Sequence, residues 1–160
     1  MGILIVPLSG QHDREAFDCG EPSLNDWLTR MAWQQQRKRY ARTHVMVDDA
    51  TPARLLGFHT LLAHQIDTTH FPSDRALPRK LPAVLLARLA VDRSQQGRGL
   101  GELLLADAVS RATPLSEEVA AVGLVVDAVN DAAVRFYEHF GFQPFRDDPA
   151  RLVLPLPHGR

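Results

Sequence analysis

The chain has 160 residues, 45% of them hydrophobic and 23% charged, with a formal net charge of −1. That length suits one domain over residues 1–160, and the near-zero charge excludes a global attraction to nucleic acid, so any such site must be a local patch. A single cysteine, Cys19, excludes an internal disulfide and a cysteine-based zinc site.

Residues 1–8 are apolar but too short for a signal peptide, and no apolar run is long enough to span a bilayer, so a cytoplasmic protein without a membrane partner is expected. The seven histidines are scattered, at 12, 44, 59, 64, 70, 139 and 158. His59 and His64 sit five apart on an extended segment, which points them to opposite faces. No metal is expected.

In chain order, residues 3–8 read as a first strand and residues 18–23 as a turn into a helix. Leu24, Trp27, Leu28 and Met31 recur at helical spacing, so that helix runs to about Lys38. Residues 43–47 and 54–63 are β-rich around a turn at 48–52. Residues 67–82 carry Pro72, Pro78 and Pro82 and read as a long surface loop. A strand over 84–91, a helix over 100–112, a buried strand over 119–126, a helix over 130–140 stopped by Gly141, and a closing strand over 152–156 complete the chain. This order predicts a mixed α/β domain with a partly parallel centre.

Between the strand at 84–91 and the helix at 100–112 lies Gln96-Gly97-Arg98-Gly99-Leu100-Gly101. A glycine-rich loop at such a join presents bare N–H groups at the positive end of a helix dipole, which makes a phosphate cradle. It is not a P-loop, because no lysine follows. It is not a dinucleotide fingerprint, because the glycine spacing differs and too little chain follows.

The spacing Gln96-x-x-Gly99-x-Gly101, entered from Leu89-Ala-Val91-Asp, resembles the acyl-CoA pyrophosphate loop of the GCN5-related N-acetyltransferases. Asn130-Asp-Ala-Ala-Val-Arg-Phe136-Tyr137-Glu-His-Phe140-Gly141-Phe142 resembles a second motif of that superfamily, at the expected distance downstream. The resemblance implies the GNAT fold, a mixed central sheet with a splayed parallel pair flanked by helices. It implies acetyl-CoA as cosubstrate, with Leu89, Ala90 and Val91 on the strand that receives the pantetheine arm and a main-chain N–H near Leu89 polarising the thioester carbonyl. Gln96, Gly97, Arg98, Gly99, Leu100 and Gly101 would wrap the pyrophosphate, with Arg98 either adding charge or facing solvent. Asn130 caps its helix and, with Phe136, is a candidate cofactor contact. Tyr137 is the candidate general acid, since a phenol with a pKa of about 10 stays protonated at neutral pH. No carboxylate is clearly placed as a base; Glu102 and Asp127 are candidates by proximity only.

The acceptor must be read elsewhere. Arg30, Arg37, Lys38, Arg39 and Arg42 form a block free of acidic residues from 27 to 47, and Arg75, Arg79, Lys80 and Arg88 follow. Such a block is either a solvated helix face or a grip on a polyanion such as RNA. Phe17-Asp-Cys-Gly-Glu-Pro-Ser-Leu-Asn-Asp-Trp27-Leu28, Ala41-Arg42-Thr43 and Leu86-Ala-Arg88-Leu-Ala-Val91 resemble the toxin branch of the superfamily, the acetyltransferase toxins of type II toxin–antitoxin systems. That resemblance implies acetylation of the α-amine of aminoacyl-tRNA and inhibition of translation. Arg30, Arg37, Lys38, Arg39, Arg42, Arg79, Lys80 and Arg88 would then contact tRNA. It also implies a ribbon-helix-helix antitoxin, contact with operator DNA mainly through that partner, and a homodimer. Two alternatives stay open: an acetyltransferase for a small amine, an antibiotic or a protein amine, and a non-catalytic acyl-CoA-binding module.

Overall fold

The computed structural model describes residues 2–119 and 121–156; His158 lies outside them. These form two compact units, Met1–Leu62 with Ala87–Ala108, and Ala63–Leu86 with Val109–Arg160.

In the first unit β1 (Ile3–Pro7) pairs antiparallel with β2 (Arg42–Asp48), and β2 pairs antiparallel with β3 (Gly57–Asp67). A helical run joins β1 to β2: α1 (Pro22–Trp27), a π-helical turn (Leu28–Ala32) and α2 (Trp33–Lys38). Its end at Lys38 matches the periodicity, but the π-turn was not expected. The Thr29 hydroxyl donates back to the Asn25 carbonyl at 3.0 Å, a bond that competes with regular helix. The wider turn buries Leu28 and Ala32 together and leaves Arg30 exposed. Past α2, the Gln36 amide accepts from Thr43 N at 2.7 Å and donates to the Thr43 carbonyl at 3.2 Å, standing in for a strand neighbour at the start of β2.

β4 (Lys80–Val91) ends in this unit. Alternation along it sends Leu89 and Val91 to one side, against Met46, Leu56, Leu100 and Leu104, and Ala90 to the other, among Leu28, Val45 and Phe58. Arg88 shares the Ala90 side. The first-unit part of α3 (Leu100–Val119) is also tied to β3 by a polar contact, His59 Nε2 to Asp107 Oδ2 at 2.7 Å.

In the second unit the early part of β4 pairs in parallel with β5 (Leu124–Asp127), Val84 opposite Leu124. β5 pairs antiparallel with β7 (Asp148–Leu154), and β7 with β6 (Gln143–Phe145). The strand order is β1-β2-β3-β4-β5-β7-β6, so the sheet is mostly antiparallel with one parallel pair, the architecture that the order of elements predicts. Ile66, Ala83, Val125, Phe145 and Val153 form this unit's core.

Several boundaries differ from expectation. β3 starts at Gly57 and runs to Asp67, beyond the expected end at 63, because residues 63–65 are exposed and only Ile66 turns inward. β4 starts at Lys80 and contains Pro82, whose carbonyl accepts from Val122 N at 2.9 Å; the proline therefore sits inside a strand and not in the loop. α3 passes Pro114 and reaches Val119, beyond the expected end at 112. The proline forfeits one helical bond, but Ala112 and Ser116 are both fully buried, so packing carries the helix on. β5 occupies only 124–127 of the expected 119–126, and β7 begins at Asp148 where 152 was expected. No described helix is long and apolar enough to cross a membrane.

Candidate active site

The glycine loop lies in the first unit. Gly97 and Gly99 have φ of +82° and +75°, a backbone that L side chains rarely adopt. A Cβ at either would meet nothing within 4 Å, so the requirement for glycine is conformational. Gly101 already lies within α3, beside buried Leu100. The loop thus ends on a long helix, with first-turn N–H groups that lack helical acceptors.

What holds the loop is a carboxylate that sequence reasoning did not single out. Asp92 accepts from Asp18 N at 2.9 Å through Oδ1, and from Ser94 N and Ser94 Oγ at 3.1 and 2.6 Å through Oδ2. Burial pushes its carboxyl up, but these hydrogen bonds, with Arg54 nearby, outweigh it and hold it below the usual carboxylate range. The only local signal is Asp-x-Ser after a strand, an Asx-turn pattern. Gln96 ties the loop to its surroundings, because its side-chain amide donates to the Val91 and Cys19 carbonyls at 3.1 and 3.2 Å. The Arg98 side chain bonds Gln95 Oε1 and is exposed.

Arg88 lies against an aromatic stack. Its guanidinium lies 4.0 Å above the Trp27 ring centroid, and Trp27 stacks on Phe58 at 6.3 Å with 14° between the planes. Phe58 meets Phe17 edge-on at 5.5 Å. The guanidinium is half-buried, and burial alone pulls its pKa down. Trp27 read from sequence only as a helix-core position; its role as a platform depends on β4. Of the expected basic block, Arg30, Arg37, Lys38, Arg39 and Arg42 are all exposed on the helical run or just after it. Arg37 lies 5.7 Å from the Trp33 ring, and Arg39 occupies the left-handed cap position of α2 at φ +62°. Arg79 and Lys80, in the second unit, are exposed at the start of β4.

The second unit carries the other motif. α4 (Asp131–His139) is capped by Asn130, whose side chain accepts from Ala133 N at 2.8 Å. The helix ends at Gly141, with φ +95°. Tyr137 is 9% exposed, its ring edge-on to Phe136 and tilted against Phe142, both at 5.3 Å. Its hydroxyl makes no hydrogen bond among the described residues, and burial pushes the phenol up to about 12. The phenol is therefore held in its protonated form near neutral pH, with no acceptor for it among the described residues. Asp127 accepts from Nε and one Nη of Arg151, at 2.7 and 2.9 Å, which ties up the carboxylate considered as a base. Glu102 is exposed in the first turn of α3. Among the described residues no group of three or more His, Cys, Asp or Glu could hold a metal.

The acetyltransferase (GNAT) domain profile matches residues 39–144. The chain belongs to the GNAT acetyltransferases. It is 36% identical over 155 residues to the "tRNA-acetylating toxin" of Mycobacterium tuberculosis, covering 96% of this chain and 92% of that relative. Among solved structures it is similar to AtaT complexed with acetyl-methionyl-tRNAfMet, at 32% identity and a TM-score of 0.88, over 96% of this chain and 95% of that one. It is also similar to a mutant AtaT toxin bound to the C-terminus of the antitoxin AtaR and acetyl-CoA, at 33% identity and a TM-score of 0.80, over 96% and 92%. This GNAT protein is therefore an acetyltransferase closely related to the tRNA-acetylating toxins, and related structures hold acetyl-CoA, tRNA and an antitoxin segment.

Proposed function

We propose that this GNAT protein acts as one domain over residues 1–160 and is the toxin of a type II toxin–antitoxin pair. It acetylates the α-amine of aminoacyl-tRNA and so stops translation. The observation that carries this reading is the whole-length likeness to tRNA-acetylating toxins.

Acetyl-CoA supplies the acetyl thioester. Main-chain groups of Leu89, Ala90 and Val91 hold the pantetheine arm, on the stretch where β4 continues beyond Leu86, the last residue of its parallel register. A main-chain N–H near Leu89 would polarise the thioester carbonyl. The backbone of Gln96, Gly97, Arg98, Gly99, Leu100 and Gly101 receives the pyrophosphate. Asn130 and Phe136 complete the cofactor contacts, and Tyr137 holds a proton on its phenol oxygen for the departing thiolate. The α-amine of an aminoacyl ester is less basic than a lysine amine, so more of it is neutral near pH 7 and no strong protein base is needed. Arg30, Arg37, Lys38, Arg39, Arg42, Arg79, Lys80 and Arg88 contact tRNA phosphates, which position the substrate without specifying it.

The proposed partners are a ribbon-helix-helix antitoxin, which carries the operator DNA contacts and lays an acidic segment on the basic residues, and a second copy of this chain. The substrate sets a cytoplasmic location. The test is incubation with labelled acetyl-CoA and a pool of charged tRNAs. Label on the aminoacyl group, lost in Tyr137→Phe, is expected, together with growth arrest on expression without the antitoxin. Label on small amines or protein amines instead, with none on aminoacyl-tRNA, overturns the reading; no acetyl transfer at all favours a binding module.

A further inference from the structure

A pocket of about 300 Å³ opens in the second unit, in the loop between β3 and β4. Arg75, Arg79 and Arg146 line it with Thr68, Ser73 and Phe71. Arg146, just after β6, is 67 or more residues from the two loop arginines in sequence, so only the fold gathers the three.

The loop is built, not slack. Thr68 N donates to the Arg79 carbonyl at 2.8 Å and Thr68 Oγ1 to the Pro78 carbonyl at 2.6 Å, closing the base. Arg146 N donates to the His70 carbonyl at 2.7 Å, and the Phe71 ring meets Phe145 edge-on at 5.5 Å, pinning the loop to the end of β6. The backbone that carries the lining is therefore largely organised before any ligand arrives, which lowers the cost of binding.

The charges are available. The Arg75 guanidinium makes no hydrogen bond or ion pair among the described residues. Arg79 pairs with Asp67 at 3.5 Å and Arg146 with Asp74 at 3.0 Å, and all four side chains are close to half exposed or more. Exposed pairs of this type contribute little and exchange readily for a better anion. Ser73 Oγ accepts from Arg75 N at 3.1 Å and keeps its own proton to donate. Three guanidinium forks from three chain positions suit the tetrahedral oxygens of a phosphate better than the two coplanar oxygens of a carboxylate, and Phe71 offers an apolar wall to the attached sugar.

We propose that this pocket is a phosphate-binding subsite that grips the RNA backbone of the acceptor through Arg75, Arg79 and Arg146. The choice of RNA rests on the proposed acetylation of tRNA; the anion site itself rests on the pocket.

The test is binding of uncharged tRNA to the full chain across a salt series, for wild type, Arg75→Gln, Arg146→Gln and the double variant. The double variant is expected to bind about tenfold more weakly, with a salt slope lower by roughly one to two. Arg75→Lys should retain most of the affinity, and with charged tRNA the loss should fall on KM more than on kcat. Arg75→Gln removes no hydrogen bond or ion pair among the described residues, so a melting curve like that of wild type is expected and its affinity is a clean reading. Unchanged tRNA affinity and slope in the double variant overturn the proposal. So does a loss confined to binding of a polyglutamate peptide, which makes the pocket a protein-docking site, or to binding of inorganic phosphate, which makes it a free-anion site. Uncharged tRNA needs no acetyl transfer. Weakened binding in the variant, with no acetylation by wild type, would retire the tRNA-acetylation reading and keep the pocket. Unchanged binding with normal acetylation would do the reverse.

Discussion

The Arg88 guanidinium carbon lies over the Trp27 ring, 4.0 Å from its centroid, and the indole in turn is backed by Phe58. A cation held over a ring is placed without using its N–H donors, which can still bond an anion, so the contact acts through position. Trp27→Ala is expected to raise KM for charged tRNA roughly three- to tenfold with kcat little changed. Trp27→Phe should recover much of that. Steady-state kinetics check it: equal losses in kcat and kcat/KM would contradict a positioning role.

Tyr137→Phe removes a hydroxyl that bonds to nothing described, so melting should be unchanged while kcat falls about 10²-fold or more. Burial pushes this phenol up to about 12, so it stays protonated across the working range. Rate against pH should therefore show no alkaline decline from Tyr137 below about pH 11. An alkaline limb near about pH 9 that disappears in Tyr137→Phe would contradict the raised pKa, and an unchanged kcat in Tyr137→Phe would refute its role as general acid.

Gly99 sits at φ +75° in open space, whereas Gly101 lies inside α3. Gly99→Ala should destabilise the fold by about 1–2 kcal/mol and raise KM for acetyl-CoA, because the strain is in the backbone. Gly101→Ala, at a helical position, should be neutral or stabilising by about 0.5–1 kcal/mol for the fold. Melting curves and acetyl-CoA isotherms separate the two effects; equal destabilisation by both would mean that space, and not conformation, selects glycine here.

Asp92 is held below the usual carboxylate range by its hydrogen bonds. Because the folded pKa is depressed, its contribution is complete above the unfolded carboxylate pKa and is lost as pH falls through the lower folded value. Asp92→Ala should cost about 1 kcal/mol near neutrality, allowing for solvent screening, and the difference from wild type should close in acid. Urea melts at several pH values test this, and a gap that widens in acid would reverse the sign.

Both motifs were legible in the sequence because their physics is local. Positive-φ glycines, the Asn130 cap and the Gly141 stop each depend on a few neighbouring residues. The π-turn at Leu28–Ala32, the passage of α3 through Pro114 and the three-residue strand β6 were not legible. Each exists because burial against other elements outweighs a local preference: Leu28 and Ala32 must both face inward, Ala112 and Ser116 keep α3 packed on either side of its proline, and Phe145 anchors β6 in a core. Residues 63–65 hid the end of β3 because they are exposed on an otherwise regular strand.

The sequence alone determined the two motifs, the class of fold and the excess of basic residues over 27–47, since spacing and local backbone preference suffice for those. Only the tertiary structure decided which charges have a partner and which are offered to a ligand. Arg88 meets Trp27, Asp127 is claimed by Arg151, Asp92 gathers Asp18 and Ser94, and Arg146 joins Arg75 and Arg79 around one pocket. Side chains far apart in the chain come together only when strands register and loops close, and electrostatic contacts depend on distances that composition does not contain.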